Sequence, residues 1–574
     1  MSWEQVYEQW KKKEDLEAHL SEQLAELADN PKELEDAFYA PLEFGTAGMR
    51  GILGPGINRM NIYTVRQATE GLARFMNTQD PETRNRGVAI SYDCRHYSPE
   101  FAMEAAKTLA KHGIKSYVFE SLRPTPELSF AVRYLKTFTG IMITASHNPA
   151  NYNGYKVYGE DGGQMPPQDA DAVTKFVREV EDPLEVVVLS EEEAKHSGLI
   201  NIIAEEVDNA YLKEVSKVTI NHELVAEMGK ELKLVFTPLH GTGKMLGEKA
   251  LKQAGFEKFV IEPSQAVADP NFSTVKSPNP EEHSAFEYAM KLGKKEDADL
   301  LIATDPDADR LGAAVRMPNG EYQVLTGNQI GAIMTQYILT AHKNAGTLKE
   351  NAAIVKSIVS SELPAAIAKS FGVTTFNVLT GFKFIAEKIQ LFEDTGSNTF
   401  MFGFEESYGY LVKSFVRDKD AIQALVLLAE VAAFYKKQGK TLYDALQEIF
   451  AEFGYYAEKT ISVTMSGLEG AAKIKALMAT FREKAPTHFA DVAVEVTEDF
   501  QALTKTHVDG TVEKLTTPPS NVLKYILADE SWIAVRPSGT EPKIKFYIGV
   551  KAESSEAAAQ KIKDLQAAIE ELTA

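Results

Sequence analysis

Ile141-Met142-Ile143-Thr144-Ala145-Ser146-His147-Asn148-Pro149 reads as a short buried strand that stops at a polar loop. The loop continues through Asn151-Tyr152-Asn153-Gly154-Tyr155-Lys156 and leaves Ser146 on a small-residue turn with His147 beside it. Upstream, strand-like runs at 87–92, 114–119 and 141–144 alternate with helical patterns at 99–112 and 126–135. That alternation predicts mixed or parallel sheets covered by helices, in which chemistry gathers on loops beyond the strand ends. The rhythm recurs at 232–255 with 258–261, and at 353–371 with 374–378. Taken alone, a serine on a polar loop such as Ser146 is usually an ordinary turn residue.

A second strand end carries acids. Leu300-Leu301-Ile302-Ala303 is followed by Thr304-Asp305-Pro306-Asp307-Ala308-Asp309-Arg310. If the backbone stays extended, residues two apart share a side, so Asp305, Asp307 and Asp309 converge. Three adjacent carboxylates repel unless a cation neutralises them, and all-oxygen ligands suit Mg²⁺ or Mn²⁺. An EF-hand is excluded, because its glycine position falls on Arg310 and its closing glutamate on Arg316. A solvated acidic turn capping a helix is the competing reading. Three carboxylates leave such a metal short of ligands, and a phosphorylated serine would supply another oxygen.

Two further loops fit an anionic ligand. Val535-Arg536-Pro537-Ser538-Gly539-Thr540-Glu541-Pro542-Lys543 offers a forked guanidinium, two hydroxyls and a glycine backbone between strand-like flanks. Gly403-Phe404-Glu405-Glu406-Ser407-Tyr408-Gly409-Tyr410 offers carboxylates to sugar hydroxyls and glycines for close approach. By themselves these are also readable as a hairpin and a polar loop.

Taken together and in this order, the four loops resemble those of the α-D-phosphohexomutases. Agreement runs from Phe44-Gly45-Thr46-Ala47-Gly48-Met49-Arg50-Gly51 to the Arg536 loop. It includes Tyr92-Asp93-Cys94-Arg95, Thr237-Pro238-Leu239-His240-Gly241, Thr380-Gly381-Phe382-Lys383 and Arg417-Asp418-Lys419-Asp420. The resemblance implies an isomerase, an intramolecular phosphotransferase acting on a small phosphosugar. Ser146 would carry the phosphoryl group and, with Asp305, Asp307 and Asp309, hold one Mg²⁺ per chain. Glucose 1,6-bisphosphate would be both intermediate and activator in exchanging glucose 1-phosphate and 6-phosphate. Lys156 and Arg50 are the implied acid/base residues, with His147 assisting. Arg50 is alternatively a phosphate clamp, since arginine stays protonated. Arg310, His240, Lys383, Glu405, Ser407, Arg417 and Lys419 are implied substrate contacts, although His240 reads equally as a structural histidine. Arg536, Ser538, Gly539, Thr540 and Lys543 would grip the non-reacting phosphate.

The resemblance also implies the fold: three related mixed-sheet α/β domains and a smaller C-terminal α+β domain around a central cleft. We expect them at residues 1–205, 206–318, 319–452 and 453–574. A chain of 574 residues exceeds the roughly 250–300 at which a single core stops growing.

Composition narrows the partners. A formal charge of -21 argues against nucleic-acid or anionic-membrane binding, so an anionic substrate needs a local cluster of Arg and Lys. The single cysteine, Cys94, forbids an intrachain disulfide and points to a reducing compartment. The first 24 residues lack the apolar core of a secretory signal, and the apolar run 421–435 is too short to span a bilayer. A cytoplasmic location is the expectation, while the oligomeric state is not legible. Mannose and pentose phosphates are alternative substrates. A metal-dependent sugar phosphatase and a non-catalytic sugar-phosphate sensor are the rival classes.

Overall fold

The computed structural model describes residues 2–45, 48–464, 468–537 and 543–573. The chain forms two compact units, Met1–Leu325 with Tyr408–Thr441, and Thr326–Ser407 with Leu442–Ala574.

The first unit holds two sheets. One has six strands in the order Gly48–Ile52, Tyr152–Tyr158, Thr139–Ile143, Val88–Tyr92, Ser116–Phe119, Ile200–Ile203. The last four run parallel, whereas Tyr152–Tyr158 is antiparallel to both its neighbours. Thr139–Ile143 is buried along its whole length, as its apolar segment Ile141-Met142-Ile143 suits a strand covered on both faces. Helices Ser98–Lys111 and Thr125–Leu135 supply that cover and bury residues such as Phe101, Leu109 and Leu128. Each such side chain contributes roughly 1.5–3 kcal/mol.

The second sheet orders Tyr322–Val324, Leu311–Arg316, Leu300–Thr304, Leu234–Thr237 and Phe259–Ile261, parallel in its last three strands. The hairpin partners of Leu300–Thr304 and Leu311–Arg316 are antiparallel. Both strands that carry candidate loops, Thr139–Ile143 and Leu300–Thr304, therefore lie inside their sheets, where neighbours on each side fix their ends. Helix Ala421–Lys437 is apolar around its circumference and buried, so it is a core helix. Three N-terminal helices, Trp3–Lys12, Ala18–Leu27 and Pro31–Phe38, pack by edge-to-face rings of Trp10 on Phe38 and Tyr63.

The second unit contains the parallel strands Thr374–Val378, Ala352–Ser357 and Thr399–Glu405. It also contains an antiparallel sheet ordered Tyr455–Thr464, Lys543–Ala552, Trp532–Pro537, Leu523–Leu527, Val492–Asp499, Thr504–His507, Val512–Lys514. Ile474, Met478 and Phe481 from one helix and Ile562, Leu565 and Ile569 from another join its core. The architecture is thus three α/β domains followed by a C-terminal antiparallel-sheet domain.

Candidate active site

The serine loop is held from behind. The Thr144 hydroxyl donates to Asp93 Oδ2 at 2.6 Å and accepts the Ser146 N–H at 2.8 Å. Arg95, 2% exposed, sends Nη2 to the carbonyls of Ser146 and Asn148 and Nη1 to those of Pro149 and Tyr152. Its Nε lies 3.3 Å from Asp93, and its guanidinium stacks 5.0 Å from the Phe272 ring. Arginine suits this task because its donors form a rigid planar fork. Gly154 lets the next strand approach, since a Cβ there would lie 2.5 Å from the Thr144 carbonyl. Ser146 itself adopts φ +49°, a left-handed conformation that non-glycine residues take at a cost of about 1–3 kcal/mol.

The Ser146 hydroxyl, buried, donates to Asp305 Oδ2 at 2.6 Å and lies 3.2 Å from His147 Nδ1. Burial, then Arg310 and Arg50, push the His147 imidazole down to about 2. It is therefore neutral at working pH and suited to orienting the serine.

The aspartates converge by a turn and not by an extended backbone. Ala308 is left-handed at φ +51°, and its N–H closes onto the Asp305 carbonyl at 2.9 Å. The turn folds the loop around the Asp305 side chain, whose Oδ1 accepts the N–H groups of Asp309 and Arg310. One carboxylate oxygen from each of Asp305, Asp307 and Asp309 lies within 4.8 Å of the others. Asp307 Oδ2 accepts from Thr125 Oγ1 at 2.8 Å and Lys156 Nζ at 3.0 Å. Asp309 Oδ2 faces Lys419 at 3.1 Å and Lys156 at 3.8 Å.

Each acid thus commits one oxygen to protein donors and presents another. Among the described residues Asp307 Oδ1 and Asp309 Oδ1 are buried without a hydrogen-bond partner, and Asp305 Oδ2 accepts the serine hydroxyl. Buried orphan carboxylate oxygens cost stability unless something pairs them. A hard divalent cation fits this all-oxygen set. Burial and the adjacent Asp307 and Asp309 push Asp305 upward. Burial works against the charge of Asp307 too, but Lys156 and its hydrogen bonds outweigh it and hold that carboxyl low.

The other expected residues divide. Arg50, exposed on strand Gly48–Ile52, donates to Asn148 Oδ1 at 2.7 Å and so reaches the serine loop. Lys156, 12% exposed, is an ion-paired part of the acid cluster and not a solvated surface charge. Arg310 Nη1 pairs with Glu281 at 2.8 Å. His240 is 2% exposed, with one ring nitrogen on the Val267 carbonyl and the other on Thr274 Oγ1. Both ring nitrogens are thus engaged by loop partners. Arg417 is fully buried, with Nη1 on the Ser414 carbonyl. Lys419 bridges Asp309 and Asp418, and Asp418 also accepts the Tyr158 hydroxyl at 2.8 Å.

In the second unit, Glu405 Oε1 accepts the Gly381 N–H at 2.7 Å and so joins the glutamate loop to the loop of Lys383. Lys383 Nζ sits 5.1 Å from the Phe384 ring. Ser357 and Ser360 hydroxyls hold Glu406, and Ser407 follows. Arg536 lies on strand Trp532–Pro537 opposite Lys545, and Lys543 opens the next strand. Ser538, Gly539 and Thr540 lie outside the described residues.

The roles of Asp93, Arg95, Thr125 and Thr144 escaped the sequence reading. Arg95 had two signals: its place in Tyr92-Asp93-Cys94-Arg95, and its position after Val88–Tyr92, the parallel neighbour of the serine strand, so the two strand ends adjoin.

Comparison with known proteins agrees with this geometry. Residues 41–183, 209–318 and 326–453 match the phosphoglucomutase/phosphomannomutase alpha/beta/alpha domains I, II and III. Residues 472–568 match the C-terminal domain of the same family. A phosphoglucomutase of Staphylococcus aureus strain MSSA476 is 41% identical over 549 residues, 95% of either chain. That of strain bovine RF122 / ET3-1 is 42% identical over 532 residues, 92% of this chain and 93% of the other. The fold is similar to that of parafusin, an exocytosis-sensitive phosphoprotein and phosphoglucomutase of Paramecium, with TM-score 0.68 at 18% identity over 93% and 95% of the two chains. It is also similar to a phosphoglucomutase/phosphomannomutase family protein of Burkholderia thailandensis, with TM-score 0.66 at 18% identity over 92% and 97%. The chain belongs to the phosphoglucomutase/phosphomannomutase family of phosphosugar isomerases.

Proposed function

We propose that this chain interconverts glucose 1-phosphate and glucose 6-phosphate through a phosphorylated Ser146, with glucose 1,6-bisphosphate as intermediate and activator. The observation that carries the reading is the 2.6 Å contact of the Ser146 hydroxyl with Asp305, inside a ring of carboxylates with unbonded oxygens. The names of the Staphylococcus relatives support glucose as the sugar.

Asp305, Asp307 and Asp309, with an oxygen on Ser146, would hold Mg²⁺, which when bound neutralises charge on the transferred phosphoryl group. In the first transfer the P–Oγ bond of Ser146 breaks and a bond from phosphorus to the sugar oxygen forms. As the bonds exchange, the Lys156 ammonium gives a proton to the departing Ser146 oxygen and takes the sugar hydroxyl proton in its place, so the proton count closes; Lys156 is the proton-handling residue of this reading. The second transfer reverses these steps at the other phosphate and restores the seryl phosphate. His147 orients Ser146, and Arg50 clamps the serine loop through Asn148. Arg310, Lys383, Glu405, Ser407 and Lys419 are the proposed sugar-phosphate contacts, and the Arg536 loop the grip on the distant phosphate. His240 and Arg417 act through the shape of the loops they hold.

A cytoplasmic setting is part of the proposal. It is supported by the single buried cysteine and by the absence, among the described residues, of a helix long and apolar enough to cross a membrane. Incubation of the purified chain with glucose 1-phosphate, Mg²⁺ and a trace of glucose 1,6-bisphosphate tests the activity. Glucose 6-phosphate is the expected product. Free phosphate would indicate a phosphatase instead, and unchanged substrate a sensor. Mannose and ribose 1-phosphates in parallel reactions test the choice of sugar.

A further inference from the structure

We propose that Thr125 is the residue that positions Asp307 for the divalent cation; this rests on the reading that the aspartate loop holds one. Thr125 is fully buried and opens helix Thr125–Leu135. Its N–H donates to the Asp307 carbonyl at 2.9 Å, and its hydroxyl donates to Asp307 Oδ2 at 2.8 Å. One residue therefore grips Asp307 at backbone and side chain together, across 182 positions of sequence.

The grip decides which oxygen is presented. The terminal torsion of an aspartate is broad and roughly two-fold, so an unanchored carboxylate exchanges its oxygens freely. With Oδ2 on Thr125, Oδ1 remains as the buried atom without a hydrogen-bond partner among the described residues. Lys156 also reaches Oδ2, at 3.0 Å, but it is the group assigned to the sugar proton and has a flexible stem with rotating donors. Thr125 is β-branched and stiff, and lies between Pro124 and Pro126 with their fixed φ. When Lys156 turns to the substrate, Thr125 is the donor that stays.

The other two acids are anchored differently. Asp305 is fixed by N–H groups of its own loop, and Asp309 by Lys419. Asp307 takes its neutral donor from the same sheet domain that presents Ser146. Thr125 thereby ties a metal ligand to the serine's own scaffold and sets the distance between them.

The test is direct Mn²⁺ binding to the full-length, chelator-stripped chain, read by electron paramagnetic resonance of the free ion. It uses wild type, Thr125→Val, Thr125→Ser and Asp307→Asn. We expect Thr125→Val to raise the Mn²⁺ Kd by about 10–100-fold and Thr125→Ser to restore it to within about threefold of wild type. At saturating Mn²⁺, KM for glucose 1-phosphate in Thr125→Val should match wild type, any residual defect lying in kcat. Thr125→Ala replaces Thr125→Val with the same expectation should the latter fail to fold. Wild-type Mn²⁺ affinity in the hydroxyl-deleted variant, beside lost binding in Asp307→Asn, overturns the inference alone. So does a serine variant as weak as the valine one. Unchanged binding in Asp307→Asn would remove the metal reading itself.

Discussion

Ser146 Oγ and Asp305 Oδ2 stand 2.6 Å apart although 159 positions separate them in the chain. The contact joins the ends of two buried strands from different sheets, Thr139–Ile143 and Leu300–Thr304. It brings the serine hydroxyl of one strand end to a carboxylate oxygen of the acid cluster at the other.

Arg95 should be needed for the shape of the serine loop. Its two terminal nitrogens satisfy four carbonyls, and a lysine cannot reproduce a planar fork. Arg95→Lys is expected to lose on the order of 2–4 kcal/mol of stability. Intact-mass measurement should also show slower phosphorylation of Ser146 by glucose 1,6-bisphosphate. A variant that melts and phosphorylates like wild type would show that the loop holds itself.

His147 should leave no mark on the pH profile. With the imidazole pushed down to about 2 by burial and by Arg310 and Arg50, it does not titrate between pH 6 and 8. His147→Asn should keep the wild-type shape of kcat against pH and lose less than the roughly 100-fold expected for a lost acid/base group. Disappearance of an ionisation near neutrality would assign the proton to His147.

Asp420 sets a pH trend in stability. It caps helix Ala421–Lys437, accepts the Tyr211 hydroxyl, and is pushed by burial from 3.8 to about 6. The folded state holds this proton more tightly than the unfolded chain, so stability falls as pH rises from about 4 to about 6 and then levels. The loss attributable to this group is on the order of 3 kcal/mol. Asp420→Asn mimics the neutral acid, so its melting temperature relative to wild type should be higher at pH 8 than at pH 4. The opposite slope in thermal melts would refute the assignment.

Glu362 holds two buried lysines, with Lys356 Nζ at 3.0 Å and Lys524 Nζ at 3.3 Å. Lys524 in turn lies 4.6 Å from the Trp532 ring, beside the apolar cluster of Ile358, Val359 and Trp532. Glu362→Gln leaves both ammonium groups uncompensated and should cost about 3 kcal/mol, since Glu362 is partly solvated. Urea unfolding followed by tryptophan fluorescence measures it, and an unchanged midpoint would mean the lysines find other partners.

Both strand ends were legible because strands buried on both faces show as apolar runs, as at 141–143 and 300–303. The convergence of Asp305, Asp307 and Asp309 was legible as well, from their spacing of two behind an apolar strand. Its geometry was not, because the left-handed turn at Ala308 is fixed by hydrogen bonds onto Asp305 and leaves no compositional trace. Arg95 and Thr125 escaped because their partners lie far away in sequence, and a buried donor serving a distant loop looks like any other polar residue.

The phosphoryl load of Ser146 is the most direct measurement. The chain is incubated with glucose 1,6-bisphosphate, freed of small molecules, and analysed by mass spectrometry before and after addition of glucose 6-phosphate. The expected result is one phosphoryl group on Ser146, its passage to the sugar as bisphosphate, and neither event in Ser146→Ala. Undiminished isomerisation by Ser146→Ala, or a phosphoryl group carried on another residue, would contradict it.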